Sequence, residues 1–85
     1  MKTLIGDIGN TLTKLCIINE KKLIVKEYNV ETIKIIKEKN LKKFFKPILN
    51  KNIKKNILFS SVEPKAYKKI KKLLENKKYL VFEIK

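Results

Sequence analysis

The sequence has 85 residues and carries 22 lysines against eight acidic residues, which gives a formal net charge of +14. This length predicts one small domain over residues 1–85, and a hydrophobic content of 44% is enough for a packed core. Histidine is absent, so catalysis by Ser-His or Cys-His pairs is excluded and a zinc site is not expected.

The positive charge indicates either a polyanionic partner or a biased composition. All the basic residues are lysines, whereas arginine is favoured for bidentate contacts with phosphate and guanine. Lysine, isoleucine and asparagine are abundant together, which is typical of proteins encoded by AT-rich genes. We therefore favour composition as the explanation and do not expect a nucleic-acid partner.

The cysteine content and the amino-terminal segment indicate the compartment. Cys16 is the single cysteine, so no internal disulfide can form, and a lone thiol is typical of a reducing environment. The short apolar run at the start is interrupted by Asp7, which makes it too short and too polar for a signal peptide. No apolar run approaches the ~20 residues that a membrane helix needs. We expect a soluble, cytoplasmic protein without a membrane partner.

Three strands are predicted in the first third of the chain. Residues 2–8 are mostly apolar, and Gly9-Asn10 is a two-residue hairpin signal whose positions both tolerate positive φ. Residues 11–18 and 23–30 are predicted as the second and third strands. Together they predict an antiparallel meander.

The hydrophobic period then changes from that of strands to that of helices. Residues 31–46 have apolar side chains at helical spacing, and Pro47 is expected to end this helix. Residues 56–62 are predicted as a fourth strand. Their apolar run, centred on Leu58, is typical of a parallel strand that is covered on both faces.

A second helix and a fifth strand complete the pattern. Pro64 suits the first turn of a helix over residues 65–77, and residues 79–84 are predicted as the last strand. The order β-β-β-α-β-α-β is that of an α/β, ribonuclease-H-like half-domain. It predicts a mixed five-stranded sheet of order 3-2-1-4-5 with two helices.

Asp7 is the single aspartate and lies near the end of the first predicted strand. Mg²⁺ typically binds one or two carboxylates and keeps several waters, and the N–H groups of the following turn could face an anion. Thr11, Thr13 and Lys14 add hydroxyls and a positive charge. Spacing alone leaves two interpretations open: a cradle for phosphates, or a hairpin in which Asp7 caps backbone amides.

The same segment resembles the first phosphate motif, Asp-x-Gly-Asn-Thr, of type III pantothenate kinases, which belong to the acetate-and-sugar-kinase, Hsc70 and actin superfamily. The residues that carry this resemblance are Asp7, Ile8, Gly9, Asn10, Thr11, Leu12, Thr13 and Lys14. A second segment, residues 59–64, is similar to the family's Ser-Ser-Val-Val-Pro motif through Ser60, Ser61, Val62 and Pro64. Two motifs in the family's usual order and spacing are more specific than either one alone.

The resemblance implies an enzyme that uses ATP to phosphorylate pantothenate in coenzyme A biosynthesis. It implies that the residues from Asp7 to Lys14 bind the ATP phosphates, with Asp7 near Mg²⁺ and with Ser60 and Ser61 close by. It also implies a homodimer and a monovalent cation, K⁺ or NH₄⁺.

The sequence departs from the family pattern at three places. Cys16 lies where the family often has glycine or alanine, and Glu63 replaces the second valine. The sequence ends before the family's Gly-Ala-Asp-Arg segment, which supplies the catalytic aspartate and contacts pantothenate. We therefore expect the amino-terminal half of a two-domain kinase, with no catalytic residue of its own and inactive alone.

Other interpretations stay open. Ribonuclease-H-like nucleases also begin with a strand that bears Asp-x-Gly, but they hold two metals with clustered carboxylates, and this chain has Asp7 and seven glutamates. A basic module that binds nucleic acid without catalysis is a further alternative, which a steep salt dependence of binding would identify. The last is a degenerate homologue that binds nucleotide without turnover.

Overall fold

Five strands and three helices make up the computed structural model, which describes residues 1–84. The strands are β1 (Thr3–Ile8), β2 (Leu12–Ile18), β3 (Ile24–Glu31), β4 (Asn56–Ser61) and β5 (Leu80–Ile84). The helices are α1 (Thr32–Lys37), α2 (Leu41–Leu49) and α3 (Pro64–Asn76).

The strands form one sheet in the order β3-β2-β1-β4-β5, which confirms the predicted order. β1 and β2 pair antiparallel, as do β2 and β3, whereas β4 joins β1 in parallel and β5 joins β4 in parallel. The predicted mixed α/β sheet is therefore confirmed. β1 lies at its centre, with a strand hydrogen-bonded on each side.

The helices pack on one face of this sheet. Leu4 and Ile8 of β1, and Ile57 and Phe59 of β4, are fully buried in the same cluster as Ile70 of α3. Burying each such side chain stabilises the fold by roughly 1.5–3 kcal/mol before conformational entropy is counted. Alternate residues of the same strands point to the opposite side.

We call this opposite side the open face. It is formed by Ile5, Asp7, Lys14, Cys16, Leu58, Ser60, Leu80, Phe82 and Ile84. Leu58 is 40% exposed and Phe82 is 51% exposed. The prediction that the fourth strand is covered on both faces is therefore wrong for the described residues, because the helices of residues 1–84 pack against the other side.

The predicted helix over residues 31–46 is two helices, so the expectation of two helices in all is corrected to three. Glu38 has an extended backbone, with φ −69° and ψ 124°, and ends α1. The Lys69 ammonium of α3 donates hydrogen bonds to the carbonyls of Ile36, at 3.0 Å, and of Glu38. These contacts satisfy carbonyls that the end of α1 leaves without partners, so the break is stabilised by tertiary structure.

Pro47 does not end the helix as predicted, since α2 continues through it to Leu49. Proline lacks the N–H that would donate to the preceding turn, which costs about 3 kcal/mol in an unsupported helix. The neighbouring side chains of Phe45 and Ile48 are fully buried. Their burial offsets the lost hydrogen bond.

Lysines dominate the outer surfaces of the helices. The three helices hold ten lysines and one glutamate, Glu75. Neither of the two ion pairs found within residues 1–84 involves α2 or α3. Much of the positive charge therefore lies on the side opposite the open face. None of these helices combines the length and the apolar character needed to cross a membrane.

Candidate functional site

The candidate phosphate site lies at the end of β1, where Asp7 sits between two neighbouring strands. Asp7 is in register with Lys14 of β2 on one side and with Ser60 of β4 on the other. Residues paired in this way share a face of the sheet, so the carboxylate, ammonium and hydroxyl lie together on the open face. Three residues selected from the sequence are thus brought to one place.

The three side chains are not engaged in the fold. Among residues 1–84, the side chains of Asp7, Lys14 and Ser60 take part in neither a side-chain hydrogen bond nor an ion pair. Asp7 and Lys14 are exposed and Ser60 is half-buried. The alternative in which Asp7 caps backbone amides is therefore not observed in this part of the chain.

A shallow hollow of about 240 Å³ lies on the open face beside Asp7. Its floor is largely apolar, and Asp7, Lys14 and Ser60 supply its polar groups. Its lining is Ile5, Gly6, Asp7, Lys14, Cys16, Leu58, Ser60 and Ile84. Pockets that enclose a whole drug-sized ligand usually have about 300–1,000 Å³, so this hollow is large enough for only part of a nucleotide.

The hairpin turn is displaced by one residue from its predicted position. The Gly9 N–H donates to the Leu12 carbonyl at 3.0 Å, which places Asn10 and Thr11 at the tip. Neither Gly9 nor Asn10 has a positive φ, so the turn does not use their tolerance of that conformation. Gly9 is required for space instead, because a β-carbon there would lie 2.8 Å from the Leu12 carbonyl oxygen.

The tip of the turn presents unpaired backbone donors. Within residues 1–84, the N–H groups of Asn10 and Thr11 donate to no acceptor, and both residues are exposed. Successive free N–H groups in a turn are suited to binding phosphate oxygens. Ile8 is fully buried and Leu12 has an apolar side chain, so these two could contribute only their backbone.

Thr13 faces the core and not the site. Its side chain is fully buried, and its Oγ1 lies 2.9 Å from the Oγ1 of Thr32, which is also fully buried. The Thr32 hydroxyl donates to the Gly9 carbonyl at 2.8 Å. A hydroxyl has one proton, so Thr13 must be the donor to Thr32. The expected contact between the Thr13 hydroxyl and a phosphate does not fit this geometry.

Ser61 has a structural role in the turn that follows β4. Its hydroxyl donates to the Glu63 carbonyl and accepts from the Glu63 N–H, both at 3.2 Å. The Glu63 carboxylate then accepts from the Lys65 N–H at 3.0 Å and caps α3. This cap accounts for a glutamate at the position where the family pattern has valine.

Cys16 lies on the open face under the hollow and is 8% exposed. Burial raises the pKa of its thiol above the ordinary value, the Glu27 carboxylate raises it further, and the Lys14 ammonium partly opposes this. The thiol is therefore protonated at neutral pH, as expected for a small buried side chain without reactivity.

The acidic residues fit a single magnesium ion better than a two-metal centre. Residues 1–84 contain no group of three or more histidine, cysteine, aspartate or glutamate side chains that could hold a metal ion. A two-metal nuclease site needs such a group. Mg²⁺ bound to one carboxylate, phosphate oxygens and waters does not, so Asp7 suits that kind of binding.

Comparison with known proteins supports the resemblance. The model of a family described as type III pantothenate kinase matches residues 3–84. A type III pantothenate kinase of Pelagibacter ubique (strain HTCC1062) is 42% identical over 72 residues. The matched segment is 80% of this chain and 27% of that relative, so the chain spans little more than a quarter of the relative's length.

Solved structures of Ppx/GppA proteins from Aquifex aeolicus are similar in fold. The type II variant of the Ppx/GppA phosphatase has a TM-score of 0.56 at 18% identity, covering 99% of this chain and 35% of that one. A structure of the PPX-GPPA enzyme has a TM-score of 0.57 at 21% identity, and the match covers 99% of this chain and 36% of that one. These identities show the fold alone, which is ribonuclease-H-like and actin-like.

The family match extends over almost the whole chain and includes both the Asp7 turn and the end of β4. Together with the identity to the Pelagibacter protein, it shows that this chain belongs to the type III pantothenate kinase family.

Proposed function

We propose that this chain is the ATP-phosphate-binding part of a type III pantothenate kinase, a cytoplasmic enzyme that phosphorylates pantothenate for coenzyme A synthesis. One observation carries the proposal. Among the described residues 1–84, the exposed carboxylate of Asp7 has no ion-pair partner, and it lies next to the turn whose tip presents the N–H groups of Asn10 and Thr11 without acceptors. Family membership supports the same assignment.

In this proposal different residues of the site bind the phosphates and the metal ion. The N–H groups of Asn10 and Thr11 bind phosphate oxygens, and the Lys14 ammonium and Ser60 hydroxyl add contacts from the flanking strands. Asp7 holds Mg²⁺ directly or through water. When bound, Mg²⁺ neutralises the charge that develops on the transferred phosphoryl group.

The remaining parts of the reaction belong to the full-length enzyme in this proposal. We assign no catalytic base, pantothenate contact, dimer interface or ligand of K⁺ or NH₄⁺ to residues 1–84. Family membership supports ATP and pantothenate as substrates, and the resemblance implies the cation and the homodimer. The chain then supplies one wall of a cleft between two domains.

A titration of the isotopically labelled chain with MgATP tests the proposal. We expect NMR shift changes concentrated at Asn10, Thr11, Lys14 and Ser60. Asp7→Asn should weaken the Mg²⁺-dependent part of the binding because it removes the metal's carboxylate. Glu27→Gln is a matched control, since it removes one negative charge from β3, two strands away from Asp7.

Two outcomes would contradict the proposal. One is a set of shift changes elsewhere, for example on the lysine-rich helices, which would indicate non-specific attraction of a polyanion. The other is equal binding by the Asp7→Asn and Glu27→Gln variants, which would show that the Asp7 carboxylate has no special role.

A further inference from the structure

We propose that Thr32, together with Thr13, is a positioning residue that orients the phosphate-binding turn; this inference rests on the proposed function of that turn. Neither hydroxyl is expected to contact the ligand, because both side chains are fully buried. They act on it through the backbone of Gly9 and Thr11.

Thr32 holds the turn at two points. Its hydroxyl donates to the Gly9 carbonyl at 2.8 Å, and its backbone N–H donates to the Thr11 carbonyl at 2.9 Å. Thr32 is the first residue of α1, so the turn is tied to the start of that helix. The helix is itself fixed against the core through Ile35, which is 1% exposed.

The bond to Gly9 determines where the Asn10 N–H points. The peptide unit between Gly9 and Asn10 is planar and trans, so its C=O and N–H point in opposite directions. Because the carbonyl is held inward by the Thr32 hydroxyl, the N–H is directed away from the core. That N–H is one of the two free donors at the tip of the turn.

Thr13 fixes the orientation of the Thr32 hydroxyl. Thr32 has one proton, which it gives to Gly9, and it can keep that orientation while accepting the Thr13 proton. The result is a buried chain of donors that runs from Thr13 to Thr32 to the Gly9 carbonyl. Loss of the Thr32 hydroxyl breaks the link to the Gly9 carbonyl, whereas loss of the Thr13 hydroxyl leaves that link and removes its support.

This arrangement predicts a graded effect of substitution. Thr32→Val keeps the shape and removes the hydroxyl, and we expect it to weaken MgATP binding about tenfold, the effect of losing one well-placed hydrogen bond. Thr13→Val should weaken binding less. Thr32→Ser keeps the hydroxyl and should bind within about twofold of the original chain. Ile48→Val, a conservative change in the core on α2, is the control for general loss of stability.

Two measurements on the whole chain separate this inference from the proposed function. The first is the MgATP affinity of each variant at a temperature where all are folded, so that stability alone does not change binding. The second needs no ligand: hydrogen exchange at the Gly9 N–H, which bonds to Leu12 across the turn. We expect Thr32→Val to accelerate this exchange about tenfold more than Ile48→Val does.

The outcomes are distinct. If the original chain does not bind MgATP, the proposed function fails, and the exchange measurement still decides whether Thr32 anchors the turn. If the chain binds MgATP and the Thr32→Val variant binds equally well, the positioning role is overturned. Equal Gly9 exchange in the Thr32→Val and Ile48→Val variants would overturn it as well.

Discussion

The ring of Phe59 occupies the space that a side chain at Gly6 would fill. The two residues are paired across β1 and β4, and a β-carbon on Gly6 would overlap the ring and come within 2.9 Å of Leu15. The ring is fully buried, so it has little room to move. The glycine one position before Asp7 is thus required by core packing.

We therefore predict that Gly6→Ala lowers the free energy of unfolding by roughly 1–3 kcal/mol, the usual cost of overpacking a core. Urea denaturation followed by circular dichroism measures the change. Ser60→Ala, on the open face of β4, is the control and should stay within about 0.5 kcal/mol. A Gly6→Ala variant as stable as the original would contradict this packing. So would a Gly6→Ala variant whose free energy of unfolding is not partly restored when Phe59→Leu makes room for the added β-carbon.

A second prediction concerns Lys14. Replacing it with glutamine should lower MgATP affinity roughly tenfold, because a charge-assisted contact with phosphate is lost. The salt dependence of binding should decrease at the same time. Lys21→Gln, in the exposed turn after β2, removes an equal charge away from the site and serves as the control. Equal losses in both variants would indicate attraction by net charge alone.

The third prediction concerns turnover. The isolated 85-residue chain should bind MgATP weakly and should not phosphorylate pantothenate, because phosphoryl transfer depends on positioning and charge stabilisation from several groups at once. Losing one such group costs about a hundredfold or more in rate. ADP release coupled to a spectrophotometric assay, with pantothenate, Mg²⁺ and K⁺, measures this. Turnover of a few per second would refute the proposed division of the site.

The fourth prediction uses the pKa of Cys16. Burial and the Glu27 carboxylate raise this pKa above its ordinary value, so the reactive thiolate is scarce at neutral pH and becomes abundant only at alkaline pH. Alkylation by iodoacetamide should therefore be slow at pH 7–8 compared with a free thiol and should accelerate at higher pH. Glu27→Gln should shift the pH profile downward. Rapid labelling at pH 7 would show that the thiol is neither buried nor protonated.

The fifth prediction concerns the open face, where Phe82 is 51% exposed and Leu80 and Ile84 are each 56% exposed. Contiguous exposed apolar side chains favour association. We expect the isolated chain to show a mass above 10.0 kDa in light scattering as its concentration rises, and Phe82→Ser to reduce this. Ile33→Ser, which removes a side chain of similar exposure from α1, should not. Identical behaviour of the two variants would show that the open face is not responsible.

Much of the fold could be predicted because its signals are local. The hairpin signals predicted the three antiparallel strands. The alternation of helical and strand periods predicted that β4 and β5 join the sheet as parallel strands. The position of Ser60 beside Asp7 followed, since parallel strands end at the same edge.

The features that could not be predicted depend on contacts between distant residues. The break between α1 and α2 is stabilised by Lys69, which is 31 positions from Glu38 in the sequence. Thr13 and Thr32 are 19 positions apart, and nothing local distinguishes a threonine that donates into the core from one that faces a ligand.

The parallel pairing of β1 with β4 has a consequence for synthesis of the protein. Asp7 leaves the ribosome 53 residues before Ser60, and chains grow at about 5–20 residues per second. The hairpin of β1 and β2 can therefore form seconds before its parallel neighbour exists. During this interval the edge of β1 that later pairs with β4 is exposed. Its unpaired backbone N–H and C=O groups can then hydrogen-bond to a strand of another chain until β4 is synthesised.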